Sequence, residues 1–407
     1  MDVFVARQPI FNRRQEVYAY ELLYRAGANK FYSGLNGDRA SSEVITNSFL
    51  LIGLETLTRG KKAFINFTKN LLEEEIATFL PVKHVVVEIL EDVVPDKKTL
   101  QVCKKLKNMG YMLALDDFVY GKEFIPLIKL VDIIKVDFLS TAKQEREALV
   151  QRIGPQNVSF LAEKVETRAD FNQAVEMGYS LFQGYFFSKP LVVSSRNIPS
   201  YKLTYMKILQ EVHKPAISLD ALEKLIKTDV SLSFKLLKYI NSLAFGFYSE
   251  ISSIRQALAI LGEKGIKKWL SLISLQGIGK NKPDELLVTA LCRARFCELL
   301  APAVGLGRRS SDLFLMGMFS LLDAFLDQPL PDILATLPLA EEIKVALLGG
   351  KNRFQEVYAL NLAYETGNWE KFSRIAANLN LDEKKVKRFY INSLEVSNKT
   401  FFKKYVS

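Results

Sequence analysis

Tyr111-Met112-Leu113-Ala114-Leu115-Asp116-Asp117 is a short apolar run that ends on two adjacent carboxylates. Val131-Asp132-Ile133-Ile134-Lys135-Val136-Asp137 has the same form, with a lysine and an aspartate at its C-terminal end. Apolar runs of this length read as strands buried on both faces. Similar runs occur at Val3–Ile10, Val17–Tyr24, Ala63–Phe67, His84–Leu90, Val158–Ala162 and Ser180–Phe187. Between them, Ser41–Thr58, Asp96–Met109, Ala142–Ile153 and Ala169–Met177 carry apolar residues at spacings of three and four, as amphipathic helices do. Alternating strands and helices predict a parallel α/β domain, and eight strands predict a (β/α)8 TIM-like barrel. The first two runs are joined only by Asn12-Arg13-Arg14-Gln15, too short for a parallel crossover, so they are expected to form a hairpin. The expectation is a modified barrel with one antiparallel strand.

Past Pro190 the pattern changes. Val192–Tyr201 is a polar connector, and Tyr205–His213, Leu219–Lys227, Leu232–Asn241, Ile254–Leu261, Gly265–Leu275, Asp284–Leu300 and Phe314–Phe325 read as helices separated by Gly, Pro or polar breaks. The predicted organisation is therefore α/β plus all-α, residues 1–197 followed by residues 198–407. A chain of 407 residues agrees with two domains, and 49% hydrophobic with 25% charged residues is a globular composition. The three cysteines, Cys103, Cys292 and Cys297, fit no zinc or disulfide framework and point to a reducing compartment. With no readable signal peptide and no long apolar span, the protein is expected in the cytoplasm and away from membranes. The net charge is +10, and most of the excess lies after residue 200. Lys384-Lys385, Lys387-Arg388 and Lys403-Lys404 read as solvated helix surface, so nucleic acid is not an expected partner.

His84 and His213 are the only histidines, which excludes a multi-histidine metal site or the His-Asp pairs of a phosphohydrolase. Chemistry must then use carboxylates, amides and lysine. Glu21, Asn66, Glu88, Asp116 with Asp117, Lys135 with Asp137, Glu163 and Gln183 each lie inside or at the C-terminal end of a separate predicted strand. In a barrel those ends converge, and charged residues on so many buried strands imply a shared ligand or metal. An oxygen-only donor set suits Mg²⁺ or Mn²⁺. The adjacent Asp116 and Asp117 suit a site in which a bridging carboxylate holds two ions about 3.5–4 Å apart. Lys135 can then orient or deprotonate a water, or stabilise charge developing on phosphate.

The segments Arg7-Gln8-Pro9-Ile10, Tyr20-Glu21-Leu22-Leu23-Tyr24-Arg25, Phe64-Ile65-Asn66, Glu88-Ile89-Leu90-Glu91, Leu115-Asp116-Asp117-Phe118, Ile134-Lys135-Val136-Asp137, Ala162-Glu163-Lys164-Val165-Glu166-Thr167 and Gln183-Gly184-Tyr185 resemble, in order, the motifs of EAL domains. The resemblance implies hydrolysis of the bacterial second messenger cyclic di-GMP to pGpG with two Mg²⁺ or Mn²⁺ ions. It implies Glu21, Asn66, Glu88, Asp116, Asp117 and Glu163 as metal ligands, and Lys135, Glu163 and Gln183 in catalysis. Gln8, Leu23, Arg25 and Asp137 would contact substrate, Glu91 would tether the loop after Asp117, and a homodimer would form through this domain. The second half resembles the HDOD domain through Asp229, Leu232, Leu236-Leu237, Ile240-Asn241-Ser242, Phe245-Gly246, Ile254-Arg255-Gln256-Ala257 and Leu261-Gly262. That implies a regulatory unit with a protein partner and no catalytic centre.

Three departures from the EAL pattern bear on activity. Glu21-Leu22-Leu23 replaces Glu-Ala-Leu. Phe118-Val119-Tyr120-Gly121-Lys122 follows the aspartate pair without the usual glycine and threonine, and Val119 resists backbone angles that glycine permits. Lys164 stands where a glycine is usual, and is expected to weaken the second metal or touch a phosphate. A non-catalytic cyclic di-GMP receptor or protein-interaction module is the competing expectation.

Overall fold

The computed structural model describes residues 3–26, 53–154, 158–187, 200–241, 251, 253–279 and 282–402. The chain forms two compact units, one of Met1–Lys189 with Ala359–Ser407 and the other of Pro190–Tyr358.

The first unit is built on eight strands in a closed barrel ordered β1 to β8. They are β1 (Val3–Asn12), β2 (Val17–Ala26), β3 (Lys62–Phe67), β4 (Val85–Ile89), β5 (Met112–Leu115), β6 (Ile133–Asp137), β7 (Ser159–Glu163) and β8 (Leu181–Gln183). β1 runs antiparallel to both β2 and β8, and every other pairing is parallel, so the short hairpin decides the one reversed strand. Around the strands lie α1 (Leu54–Thr58), α2 (Lys69–Glu73), α3 (Lys97–Asn108), α4 (Ile125–Ile128), α5 (Lys143–Ile153) and α6 (Arg168–Met177). Their starts are written locally. Asp96 accepts from the Thr99 amide to begin α3, and Thr167 with Asp170 forms a reciprocal capping box at α6. The expected helix over Ser41–Thr58 is seen from Leu54, its earlier part lying outside the described residues.

β8 is shorter than the run Ser180–Phe187 predicts. Gly184 has φ +139, and a Cβ there would stand 2.2 Å from the Val165 carbonyl oxygen, so the chain leaves the sheet at Gln183 and turns into a 3-10 helix over Tyr185–Phe187. A further difference concerns the tail. The split at 197/198 assigns the whole second half to one helical domain, whereas Ala359–Ser407 belongs to the barrel unit. Trp369 and Phe372 lie 6.3 and 6.1 Å from Phe4 of β1, and Asn398 Nδ2 donates to the Thr56 carbonyl at 2.9 Å. An amphipathic pattern declares an apolar face but not the partner that covers it.

The second unit is helical throughout its described residues. It contains α7 (Ser200–Val212), α8 (Leu219–Lys227), α9 (Val230–Ile240), α10 (Ile254–Ile278), α11 (Asp284–Leu300), α12 (Ser310–Phe319), α13 (Leu322–Leu326), α14 (Leu330–Thr336) and α15 (Glu341–Leu347). Asp229 caps α9 by accepting from the Leu232 amide, and the Asn241 side chain bonds the backbone of Ile251. The break expected after Leu261 is a kink at Gly262, φ 62 and ψ 172, within α10. Phe314–Phe325 is not one helix: Ser320 Oγ donates to the Gly317 carbonyl and the chain restarts at Leu322. Ser242 and Phe245-Gly246 lie outside the described residues. Among those described, no helix is long and apolar enough to cross a membrane. α16 (Arg353–Glu365) leads into α17 (Trp369–Asn378) and α18 (Glu383–Phe402) of the tail.

Candidate active site

Each barrel strand contributes one side chain to a buried apolar layer made of Ile10, Ala19, Phe64, Val86, Ala114, Ile133, Leu161 and Leu181. Side chains on a strand return to the same face every second residue. Two residues nearer the C-terminal ends of the parallel strands therefore stand Glu21, Asn66, Glu88, Asp116, Lys135, Glu163 and Gln183, directly above that floor. On the reversed β1 the same step runs backwards, to Gln8, which pairs with Glu21 across the hairpin. The fold thus gathers eight of the predicted site residues into a single layer.

Lys135 lies at the centre and is fully buried. Its Nζ is 2.8 Å from Asp116 Oδ1, 2.8 Å from Glu163 Oε1 and 3.6 Å from Glu21 Oε1, and it bonds Glu88 Oε1. Burial alone would lower the lysine, but the four carboxylates outweigh it and hold the ammonium well above its usual range. Lys135 is thereby kept protonated in this arrangement. Burial raises Glu88 well above the ordinary carboxylate range, and raises Glu163 to about 8, against the opposing pull of Lys135. In Asp116 burial is outweighed by Lys135 and the net direction is down.

Gln183 Nε2 donates to Glu21 Oε2 at 2.5 Å and to Gln8 Oε1 at 3.1 Å, linking the amides to the carboxylates. Asn66 Nδ2 reaches Glu21 Oε1 at 3.5 Å. Five buried oxygens of this site, Asn66 Oδ1, Glu88 Oε2, Asp117 Oδ1, Glu163 Oε2 and Gln183 Oε1, have no hydrogen-bond donor. Oxygens of Asp116, Asp117 and Glu163 lie within 4.8 Å of one another, which makes them the one metal-competent cluster of His, Cys, Asp or Glu among the described residues. Unmet acceptors beside excess carboxylate charge are what a hard divalent cation satisfies. The residues fit such an ion.

At the rim the picture is mixed. Asp117 sits at φ 36, and Lys164 at φ 52, left-handed conformations uncommon for side-chain-bearing residues. Val119, expected to carry the strain of the altered loop, does not have a positive φ and is 78% exposed, so the strained residue is Asp117 itself. Lys164 Nζ is 2.6 Å from Asp137 Oδ2 and 3.7 Å from Asp117 Oδ2. Asp137 also accepts from the Leu139 and Ser140 amides; burial raises it, and these bonds with Lys164 outweigh that and lower it. Leu23 is half-buried on β2, one further step above Glu21. Arg25 pairs with Phe4 across the hairpin, and its side chain lies outside the described residues. Glu91 is exposed in the turn after β4, with no hydrogen bond or ion pair to the 118–121 loop. Lys164, marked in the sequence as a cation beside the metal ligands, is paired with Asp137, and one participant escapes sequence reasoning, the turn Thr366-Gly367, whose carbonyl at Thr366 accepts from Gln8 Nε2 at 3.4 Å. Nothing in the local sequence of that turn points to the barrel.

Residues 52–190 match the EAL domain and residues 198–334 the HDOD domain. Protein YuxH of Bacillus subtilis strain 168 is 40% identical over 403 residues, spanning 97% of this chain and 98% of YuxH. Cyclic di-GMP phosphodiesterase CdgJ of Vibrio cholerae is 34% identical over 393 residues, 96% of this chain and 91% of CdgJ. The chain belongs to the EAL–HDOD family. Among solved structures, the calcium and cyclic di-GMP complex of Klebsiella pneumoniae BlrP1 covers 47% of this EAL–HDOD chain and 56% of its own, at 23% identity and a TM-score of 0.38. Asn66, Glu88, Asp116, Lys135, Glu163 and Gln183 of the layer lie within the residues matched to the EAL domain, and Gln8 and Glu21 precede them. The HDOD part shows no cluster of metal-competent side chains among the described residues.

Proposed function

We propose that this protein is a metal-dependent phosphodiesterase that opens cyclic di-GMP to pGpG, with the HDOD unit controlling it. The observation that carries the reading is the single layer of Glu21, Asn66, Glu88, Asp116, Lys135, Glu163 and Gln183 above the barrel floor, with four acceptor oxygens in it and a fifth on the adjacent Asp117 lacking donors. The 34% identity to the phosphodiesterase CdgJ over nearly the whole chain supports it.

Glu21, Asn66, Glu88, Asp116, Asp117 and Glu163 would hold Mg²⁺ or Mn²⁺, in two ions. Such ions polarise a phosphoryl oxygen and make water nucleophilic at neutral pH. The remaining work falls to side chains. Lys135 keeps its proton and offers fixed positive charge to the phosphate as negative charge builds there. Gln183, held by Glu21, orients the attacking water. Gln8, Leu23, Arg25 and Asp137 seat the dinucleotide at the rim, and the buried floor excludes bulk water from below.

The test is incubation with cyclic di-GMP and Mn²⁺, followed by chromatography for pGpG. Turnover lost in Glu21→Ala supports the enzyme. A second reading, a receptor without turnover, is favoured by one observation, the Lys164 ammonium set against Asp117 and Asp137. Tight binding with no pGpG would establish it. A dimer through the EAL domain, a protein partner for HDOD and a cytoplasmic location complete the proposal.

A further inference from the structure

A chain of amide hydrogen bonds leads out of the carboxylate layer. Glu21 holds Gln183, Gln183 donates to Gln8 Oε1, and Gln8 Nε2 donates to the Thr366 carbonyl. Both ends of the Gln8 amide are therefore assigned. Its oxygen faces Gln183 and one N–H faces Thr366, which leaves the second N–H for another acceptor.

The neighbouring residue makes an independent contact. Gly367, at φ +67, lies so close to Leu23 that a Cβ would stand 2.8 Å from Leu23 Cδ1 and 3.3 Å from its Cβ. The turn is fixed from within, since the Gly367 amide donates to the Tyr364 carbonyl and the Asn368 amide to that of Ala363. Asn368 then caps α17 by accepting from the Lys371 amide. Behind the turn, Trp369 and Phe372 pack on Phe4, anchoring the hairpin to β1 a few residues from Gln8.

We propose that the Thr366-Gly367 turn is a positioning element of the substrate site, fixing the Gln8 amide and the Leu23 side chain from a segment more than three hundred residues away in sequence. The proposal rests on the reading that Gln8 and Leu23 meet cyclic di-GMP. The barrel alone would then lack part of its recognition surface, and substrate affinity would depend on the tail. The turn touches the recognition side of the amide chain and leaves Lys135 and its carboxylates alone, so binding is the quantity it governs.

Gly367→Asn tests this, because asparagine tolerates left-handed backbone while its Cβ displaces the turn or Leu23. Gly367→Ala is the smaller companion change should the first fold poorly, with thermal midpoints measured for both in the full-length protein. The expected result is a KM for cyclic di-GMP raised about three- to tenfold, the net worth of a neutral hydrogen bond, with kcat within about twofold of wild type. A cycle with Gln8→Ala should be non-additive, as two changes acting through one side chain are. An unchanged KM overturns the proposal. So does a lowered KM, which would make the turn an obstruction, or a fall in kcat alone. Should the wild type bind without turnover, the dissociation constant replaces KM under the same criteria. Wild-type protein that neither binds nor cleaves cyclic di-GMP removes the functional reading and this proposal together, whereas wild-type binding with unaltered Gly367→Asn affinity removes only the proposal.

Discussion

Lys135→Met is the most incisive perturbation of the carboxylate layer. The ammonium sits among Glu21, Glu88, Asp116 and Glu163, and methionine keeps the length of the side chain while deleting its charge. Removing one partner of a buried ion pair costs about 3–5 kcal/mol, because the charge left behind is neither solvated nor paired. For a unit of this size each kcal/mol moves the midpoint by about 2–4 °C, so a fall of about 6–20 °C is expected with metal removed by EDTA. The two tryptophans, one per unit, give the assay: with Trp269→Phe in the background, Trp369 against Phe4 reports the barrel unit alone. Mn²⁺ should restore part of the loss by supplying the missing charge, about 2.7 kcal/mol at a hundred times its dissociation constant. The pH dependence has a defined sign. Burial already raises Glu88 and Glu163 against the pull of Lys135; without the lysine these two rise further above their unfolded values, the native state binds more protons than the unfolded one, and stability falls as pH rises from about 5 to 8. A variant in EDTA that melts within about 2 °C of wild type, with an unchanged pH profile, would refute the reasoning.

Other expectations follow from single contacts. Lys164→Gly relieves a left-handed lysine and frees Asp117 and Asp137; since the ammonium is half exposed, the gain in Mn²⁺ affinity by titration calorimetry should be modest, about two- to fivefold. Gly184→Ala drives a Cβ into the Val165 backbone and should cost about 3 kcal/mol or more in urea unfolding, with turnover falling as Gln183 is displaced. In the HDOD unit, burial, with a smaller push from Lys267, holds His213 down to about 3 beside Ser271. The unfolded chain protonates first, so this residue's contribution is complete above about pH 6.5 and is lost as pH falls toward 3, on the order of 4–5 kcal/mol at the limit. His213→Phe should flatten the acid limb of the HDOD melt, and an unchanged limb would show that the histidine does not govern it.

The barrel was legible because its strands are short apolar runs ending in charge, a combination that has no other comfortable place. Glu88 and Lys135 are wholly buried, and only a shared site makes such a sequence tolerable. The reversed first strand was legible from loop length alone. What escaped depends on tertiary neighbours. Val119 looked like the strained position, but the left-handed backbone falls at Asp117, whose amide turns back to donate to Asp116 Oδ1. Strand β8 stops at Gln183 because Gly184 presses on Val165, a contact with no local signature. The helices after Ala359 looked like the rest of their domain, since nothing in an amphipathic repeat names its partner.

The return of Ala359–Ser407 to the barrel also sets an order of assembly. Pro190–Tyr358 is one unbroken stretch and can complete its core as soon as the ribosome releases it, whereas the barrel unit waits for the last helices before Phe4 is covered by Trp369 and Phe372. In topological terms the helical unit is an insertion within the barrel unit. Expression of residues 1–197 alone would therefore uncover Phe4 on β1, and that fragment is a candidate for aggregation on account of the cut and not of its own sequence.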